Sequence, residues 1–97
     1  MLTKKEIIHN IQERKEQIQK YGVKRIGLFG SFTRNEQKEQ SDIDIVVEFE
    51  KGMKTFDNYM ELKFYLEKQL KCKVDLVISD SLKPEIKPYI MRQVEYA

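Results

Sequence analysis

Three short runs rich in apolar residues, framed by polar or glycine-containing segments, constrain the fold more than any other feature of the chain. They lie at 23–29, 43–47 and 74–78. Runs of this length are typical of buried strands, whereas buried helices usually need roughly 10–12 residues. The sequence therefore predicts three strands, and the first of them leads directly to Gly30.

Segments with helical periodicity surround these runs. Thr3 and Glu6 have the spacing of a capping box, and apolar residues then recur at helical intervals as far as Tyr21. Gly22 follows, and glycine commonly ends helices. We therefore predict one amphipathic helix of about five turns before the first strand.

Two further helices are predicted downstream. Apolar residues recur at helical spacing over 56–70, and again over 82–94, where Pro84 and Pro88 would start or interrupt the helix. The polar segment 31–40 predicts a short helical turn followed by a loop. The predicted order is helix, strand, strand, helix, strand, helix. The fold class is α/β of the α+β kind, with a small mixed β-sheet flanked by helices.

Size and composition set further limits. A chain of 97 residues builds one compact core, so we expect a single domain over residues 1–97. Charged residues make up 35% and hydrophobic residues 40%, which favours a globular fold over a disordered chain or a membrane protein. The apolar stretches fall far short of the roughly 20 residues of a membrane span, and no leader precedes the first helix. We therefore expect a cytoplasmic protein with no membrane partner.

Charge and composition exclude several other classes of function. The net charge of +2 is small and both signs are interspersed, so no stable nucleic-acid binding is expected. A group of lysines within 63–73 either attracts phosphates or forms an ordinary solvated helix face. Cys72 is the only cysteine, which excludes an internal disulfide. His9 has no second histidine or cysteine nearby with the spacing of a zinc site.

One aspartate precedes the second apolar run and another interrupts it. Asp42 and Asp44 stand among isoleucine and valine, although aspartate is depleted in strands because its short charged side chain resists burial. Side chains alternate between the faces of a strand, so both carboxylates project to one side, and Ile43 and Ile45 project to the other. Like charges this close repel each other unless a cation neutralises them, and carboxylate oxygens suit Mg²⁺. A divalent metal ion is the expected partner.

Asp75 interrupts the third run in the same way, between Val74 and Leu76. If the second and third strands pair, they lie about 4.8 Å apart, and Asp75 falls beside Asp42 and Asp44. Three carboxylates at that range hold two metal ions about 3.5–4 Å apart, which clamps the attacking and leaving oxygens in phosphoryl and nucleotidyl transfer. The alternative for any one of them is an ordinary strand-end or solvent-facing aspartate. Three together favour the metal site.

Gly30 and Ser31 follow the first strand directly and open the predicted helical turn. Backbone N–H groups at such a turn can point at an anion, while glycine permits close approach and serine adds a hydroxyl donor. A Gly-Ser pair after a strand is also a common turn. Arg34 either adds a cationic donor for the same anion or is a surface residue.

Taken together, the segments GLFGSFTR, SDIDIVV and KVDLVI resemble the DNA polymerase beta superfamily of nucleotidyltransferases. The signature of that superfamily is Gly-Ser, an intervening segment, Asp-x-Asp and a later Asp. Here ten residues separate Ser31 from Asp42. Arg34 matches a basic position often found after the Gly-Ser pair. The resemblance covers nearly the whole chain and is strongest to the minimal nucleotidyltransferases (MNT), which carry this core and little else.

The resemblance implies a role for each of these residues. Gly30 and Ser31 would hold a nucleoside triphosphate, and Asp42 and Asp44 would bind Mg²⁺ with it. Asp75 would complete the metal site and help to activate the acceptor hydroxyl. The reaction would be attack of that hydroxyl on the α-phosphate of ATP, with pyrophosphate leaving and metal ions neutralising the developing charge.

The resemblance also implies a partner, because minimal nucleotidyltransferases of this kind are typically paired with a HEPN ribonuclease toxin. This chain would be the antitoxin of a toxin–antitoxin system, and it would transfer AMP from ATP to a tyrosine hydroxyl of the toxin. AMP adds bulk and negative charge where RNA phosphate would bind, which is a route to inhibition. We expect the partner to dock near the last helix, around residues 89–96.

Two other functions remain open from the residues. A binding module would neutralise its partner by contact alone, with the aspartates merely retained. A haloacid-dehalogenase-like phosphatase also uses Asp-x-Asp, with the first Asp as a nucleophile at the carboxyl end of a strand. Here Ile45, Val46 and Val47 continue the strand past Asp44, which argues against the phosphatase.

Overall fold

The computed structural model describes residues 2–32 and 42–97. The α-helices in these ranges are α1 (Lys4–Glu13), α2 (Lys15–Gln19), α3 (Phe56–Leu70) and α4 (Lys87–Gln93). The strands are β1 (Val23–Phe29), β2 (Ile43–Phe49), β3 (Val74–Ile78) and β4 (Glu95–Tyr96). Two 3₁₀ helices cover Gly30–Phe32 and Ser79–Ser81. Within the described ranges, no helix has both the length and the apolar composition that a membrane span requires.

The sheet has the strand order β3-β2-β1-β4. Strand β1 runs antiparallel to both β2 and β4, whereas β2 and β3 are parallel. The predicted mixed sheet and its three predicted strands are therefore confirmed. Strand β4 is an addition to the prediction. It pairs Tyr96 with Gly27 and Glu95 with Leu28, and a strand this short carries no apolar pattern to predict it from.

The core lies between one face of the sheet and helices α1 to α3. Leu28, Ile45 and Leu76 stand side by side on three adjacent strands of that face and are all buried. The helices contribute the apolar residues that the periodicity predicts, namely Ile7, Ile11, Ile18, Leu62, Leu66 and Leu70. Burial of each side chain of this size stabilises the fold by about 1.5–3 kcal/mol. These six apolar side chains therefore pack the three helices against the sheet.

The first helical segment consists of two helices. Helix α1 begins at the predicted capping box, in which the Glu6 N–H donates to Thr3 Oγ1 at 3.2 Å and the Thr3 N–H donates to Glu6 Oε1 at 3.1 Å. The chain leaves helical geometry at Arg14, which has φ −108° and ψ 20°. The Arg14 side chain donates from Nε to Gln69 Oε1 of α3 at 2.8 Å. The prediction of one continuous helix is therefore wrong at Arg14. The bond from Arg14 to Gln69 joins residues far apart in the sequence, and such a bond cannot be predicted from the spacing of apolar residues.

Of the other two predicted helices, the first agrees with the structure and the second is shorter than predicted. Helix α3 covers the predicted residues, with Thr55 as its N-cap and Lys71 in a left-handed conformation after its last residue. The last helix is shorter than the predicted range 82–94, because α4 begins at Lys87 and has Pro88 in its first turn. Proline is tolerated in a first turn, where its missing N–H has no intrahelical partner, but not in a helix interior.

Val94, which follows α4, packs on the face of the sheet opposite the core, at Gly27 of β1. Gly27 makes room for it, because a Cβ at that position would meet Val94 Cγ1 and would lie 3.1 Å from the Glu95 carbonyl oxygen. Further along β1, the Arg25 guanidinium lies 4.6 Å from the centre of the Tyr96 ring. The second face is therefore partly covered by chain that follows α4.

Gly27→Ala tests this close packing. The new methyl group collides with Val94 Cγ1, so we expect the free energy of unfolding to fall by about 1–3 kcal/mol, the usual cost of overpacking. Val94→Ala in the same chain removes the obstructing methyl and should restore part of the loss. Urea denaturation of the two single variants and the double variant measures both effects. Equal stability of Gly27→Ala and the parent protein would contradict the packing of this segment on β1.

Candidate active site

Three strands bring the candidate residues to the same end of the sheet. Because β1 and β2 are antiparallel, the end of β1 at Phe29 meets the beginning of β2. Strand β3 is parallel to β2, so its first residues lie at that end as well. Phe29 pairs with Asp44, and Asp44 pairs with Asp75, which gives one row across three strands. The expected pairing of the second and third strands is confirmed, and it sets Asp44 beside Asp75.

The carboxylates of this row lie on the face opposite the core. Ile43 and Ile45 have no exposed surface, whereas Asp44 between them is half-buried. Asp42 immediately precedes β2 and is exposed, and Asp75 is exposed on β3. The predicted separation of Asp44 from its isoleucine neighbours is confirmed, and it follows from the two-residue period of a strand.

Asp44 also lies at the amino end of its strand, not at the carboxyl end. It is the second residue of β2, which continues to Phe49. An aspartyl nucleophile of the dehalogenase type would follow a strand. The position of Asp42 and Asp44 therefore does not fit that phosphatase arrangement, in agreement with the argument from sequence.

Gly30 lies directly against the Asp44 carboxylate. It has φ +78°, a left-handed conformation that side chains disfavour, and it opens the 3₁₀ helix after β1. A Cβ on Gly30 would meet Asp44 Oδ2 and would lie 2.9 Å from Asp44 Cγ. Glycine is therefore required here both by the backbone angle and by the space. The turn predicted to bind an anion lies directly against a carboxylate predicted to bind a metal.

Ser31 and Arg34 are the other two residues predicted to bind the nucleotide. Ser31 is half-buried in the 3₁₀ helix Gly30–Phe32, so the described part of the predicted helical turn is confirmed. Arg34 falls within 33–41, outside the described residues, and its role stays a prediction. The same holds for the loop predicted to follow the turn.

Two side chains of α3 reach the outer edge of β3, and the sequence did not reveal them as part of the site. The Val74 N–H donates to Glu67 Oε2 at 3.0 Å, and the Tyr59 hydroxyl donates to the Leu76 carbonyl at 2.6 Å. The two bonded residues are the neighbours of Asp75. The sequence marks Tyr59 only as part of the apolar stripe and marks Glu67 not at all, because a bond to a distant backbone group has no local signature.

The donor set of the site suits a hard cation. Asp44 and Asp75 occupy paired positions in neighbouring strands, which lie about 4.8 Å apart, and carboxylate oxygens are preferred ligands of Mg²⁺. Among residues 2–32 and 42–97, no three His, Cys, Asp or Glu side chains are grouped closely enough to hold a metal ion by themselves. Protein-bound Mg²⁺ commonly uses one or two carboxylates together with substrate phosphates and water. Asp44 and Asp75 therefore offer oxygen ligands of the kind that Mg²⁺ uses together with a nucleotide.

Comparison with known sequences gives an independent result. Residues 8–97 match the nucleotidyltransferase domain family. The chain is 42% identical over 97 residues to a Thermococcus cleftensis protein named protein adenylyltransferase MntA. That match covers 99% of this chain and 97% of the archaeal protein. The match therefore spans nearly the whole length of both chains.

Two solved structures are similar in fold. The first, assigned to the minimal nucleotidyltransferases, has a TM-score of 0.75 and 32% sequence identity, over 91% of this chain and 93% of the other. The second is a toxin–antitoxin structure with AMP-PNP, in which the matched chain has a TM-score of 0.69 and 25% identity. The match covers 88% of this chain and 70% of that one. The four-stranded mixed sheet with its helices is therefore the minimal nucleotidyltransferase fold.

Gly52 provides a matched control for the contact between Gly30 and Asp44. Both glycines have positive φ, +78° and +81°, but a Cβ on Gly52 would have nothing within 4 Å. Alanine at either position bears the left-handed backbone cost of roughly 1–2 kcal/mol. Gly30→Ala must also displace the Asp44 carboxylate, so we expect it to lose roughly 1–3 kcal/mol more unfolding free energy than Gly52→Ala. Urea denaturation gives the difference, and equal losses would contradict the close contact.

Proposed function

This chain belongs to the nucleotidyltransferase domain family, and we propose that the group it transfers is AMP, from ATP to a hydroxyl of a protein partner. The observation that carries the proposal is the row formed by the end of β1, Asp44 and Asp75, with Gly30 against the Asp44 carboxylate. In such a row, the turn proposed to bind phosphate and the carboxylates proposed to bind a metal ion would be within reach of one triphosphate. The relative named protein adenylyltransferase supports AMP as the group and protein as the acceptor.

In this proposal the two sides of the site have different tasks. Gly30 and Ser31 hold the triphosphate at the end of β1, and Arg34 adds a cationic donor to it. Asp42 and Asp44 hold Mg²⁺ together with the phosphates, and Asp75 completes a site for two ions. Bound Mg²⁺ would supply positive charge that neutralises the phosphate oxygens.

The chemical step is a displacement at the α-phosphorus. The acceptor oxygen forms a bond to phosphorus as its proton passes to the Asp75 carboxylate, directly or through water, and the bond from phosphorus to the bridging oxygen of pyrophosphate breaks. Asp75 suits this task because it is exposed on the outer strand, on the side of Asp44 away from Gly30. The acceptor therefore approaches from the β3 side, while the nucleotide is held from the β1 side.

We further propose that the partner is a HEPN-type toxin and that a tyrosine hydroxyl is the acceptor. The support is the resemblance of the three sequence motifs to minimal nucleotidyltransferases of toxin–antitoxin pairs, together with the similarity to a toxin–antitoxin structure that contains AMP-PNP. AMP-PNP is an analogue of ATP, which favours ATP as the donor. Attached AMP would block the toxin by placing bulk and negative charge where RNA phosphate would bind.

Replacement of the strand carboxylates tests the catalytic role. With Mg²⁺, α-labelled ATP and the protein encoded by the neighbouring reading frame, the parent protein should add whole AMP units to its partner. Asp42→Asn with Asp44→Asn should lower the transfer rate by at least about 100-fold, because the charges that hold the metal and the phosphates are lost. Label on a gel and the intact mass of the partner measure the transfer.

Asp57→Asn is the matched control, since Asp57 is an exposed aspartate in the first turn of α3 and lies apart from the proposed site. It should transfer AMP at the parental rate. If the parent protein binds and neutralises its partner without adding label, the protein is instead a binding module that acts by contact alone. Unchanged transfer by the Asp42→Asn, Asp44→Asn variant would place the catalytic site elsewhere.

Removal of divalent metal tests the proposed Mg²⁺ requirement. Dialysis against a chelator should abolish label transfer, and Mg²⁺ alone should restore it, because three carboxylates and a triphosphate repel one another without a counter-charge. The protein should still bind its partner after this treatment, and co-elution of the two proteins in gel filtration measures that binding. Full transfer in the presence of excess chelator would contradict the metal-dependent mechanism.

A further inference from the structure

Strand β3 is the outer strand of the sheet, and it carries Asp75. Among residues 2–32 and 42–97, β2 is the one strand that pairs with β3. Backbone groups of an outer strand that face away from the sheet need other partners, and a slip of one residue would turn every side chain to the opposite face. The pairing with β2 sets the alignment of Asp75 with Asp44, and contacts on the outer edge of β3 can make that alignment more rigid.

Two side chains of α3 hold that edge on both sides of Asp75. Glu67 accepts the Val74 N–H at 3.0 Å, and Tyr59 donates its hydroxyl to the Leu76 carbonyl at 2.6 Å. Peptide groups alternate in direction along a strand, so these two residues present their backbone outward while the backbone of Asp75 faces β2. Both α3 side chains are half-buried, which strengthens the bonds relative to exposed ones.

The Glu67 side chain also spans the turn that joins α3 to β3, since it accepts the Val74 N–H on the far side of that turn. The turn begins at Lys71, which has φ +55° and donates its N–H to the Glu67 backbone carbonyl at 2.8 Å, a bond that substitution of the side chain leaves in place. Between the two ends of this turn, the Lys73 carbonyl accepts the Ile43 N–H at 3.0 Å. Ile43 begins β2 and immediately precedes Asp44. The turn spanned by Glu67 thus contacts the start of both strands that carry the aspartates.

We propose that Tyr59 and Glu67 are positioning residues that keep Asp75 in register with Asp44 for the transfer step. The inference rests on the proposed function, in which Asp75 acts on the acceptor hydroxyl. The nucleotide is held from the other side of the site, at Gly30, so a displaced β3 lowers the rate of the chemical step more than the affinity for ATP. Misplacement of a catalytic group by about 1 Å costs up to about 100-fold in rate.

Tyr59→Phe and Glu67→Ala each remove one of the two bonds. With the full chain, its partner, Mg²⁺ and ATP, we expect each variant to lower kcat for AMP transfer by about 10-fold or more, while KM for ATP changes by less than about twofold. Glu67→Gln keeps a carbonyl oxygen that can accept the Val74 N–H. It should therefore retain most of the parental kcat.

Two substitutions on the same helix are the matched controls. Tyr65→Phe removes a hydroxyl from a ring that packs on Tyr21, with ring centres 5.7 Å apart. Gln69→Ala removes a side-chain bond to Arg14 of 2.8 Å. Both should alter stability alone and leave kcat unchanged. The positioning role is wrong if these controls lose as much kcat as Tyr59→Phe and Glu67→Ala, or if those two variants keep the parental kcat.

Amide hydrogen exchange of β3 separates this inference from the proposed function. The exchange of the Asp75 amide should rise in Tyr59→Phe and Glu67→Ala but not in Tyr65→Phe, whether or not AMP is transferred. A parent protein that transfers no AMP, with this exchange pattern intact, would overturn the proposed function and leave the alignment role standing. Unchanged Asp75 exchange in the two variants of an active protein would overturn the inference.

Discussion

The parallel pairing of β2 with β3 is the contact on which the rest of the site depends. A parallel pair requires a crossover, and α3 is that crossover, with its leucines packed against the sheet. Ile43 and Ile45 face α3 and the other helices, so Asp44 between them must face away. When Ile43 and Ile45 become buried in the core, Asp44 is necessarily turned to the opposite face of the sheet. The free energy that stabilises the core also determines which face of the sheet carries the charges.

The approach of Gly30 to Asp44 adds a second constraint at the same end of the sheet. In the proposed function, the turn that begins at Gly30 binds the triphosphate and the Asp44 carboxylate binds the metal ion, so their contact would bring the two ligand groups side by side. The positive φ and the missing Cβ of Gly30 are what allow the backbone to come this close.

The two outer edges of the sheet are stabilised in different ways. On the β1 side, β4 pairs with two residues and the Tyr96 ring lies against the Arg25 guanidinium. On the β3 side, helix side chains occupy the outward backbone groups at Val74 and Leu76. An uncovered edge invites pairing with other chains, so both arrangements reduce that hazard. The second arrangement also ties the helix layer to the strand that carries Asp75.

Much of this molecule was predictable because its signals are local. The three strand cores, the capping box of α1, the extent of α3 and the opposite faces of Asp44 and Ile45 all follow from spacing along the chain, and the structure agrees. The motifs around Gly30 and the aspartates likewise resemble the family to which the chain belongs. The break at Arg14 was not predictable, since its side chain bonds to Gln69, which is far away in the sequence.

The sequence by itself determined which residues face the core and which face of the second strand carries Asp44, because side-chain periodicity is a property of the local backbone. Only the tertiary structure decided that Asp44 pairs with Asp75, that β4 completes the sheet, and that Gly30 lies against a carboxylate. It also decided that Tyr59 and Glu67 belong to the edge of β3. These are contacts between segments distant in sequence, and their partners are chosen by the packing of the whole chain.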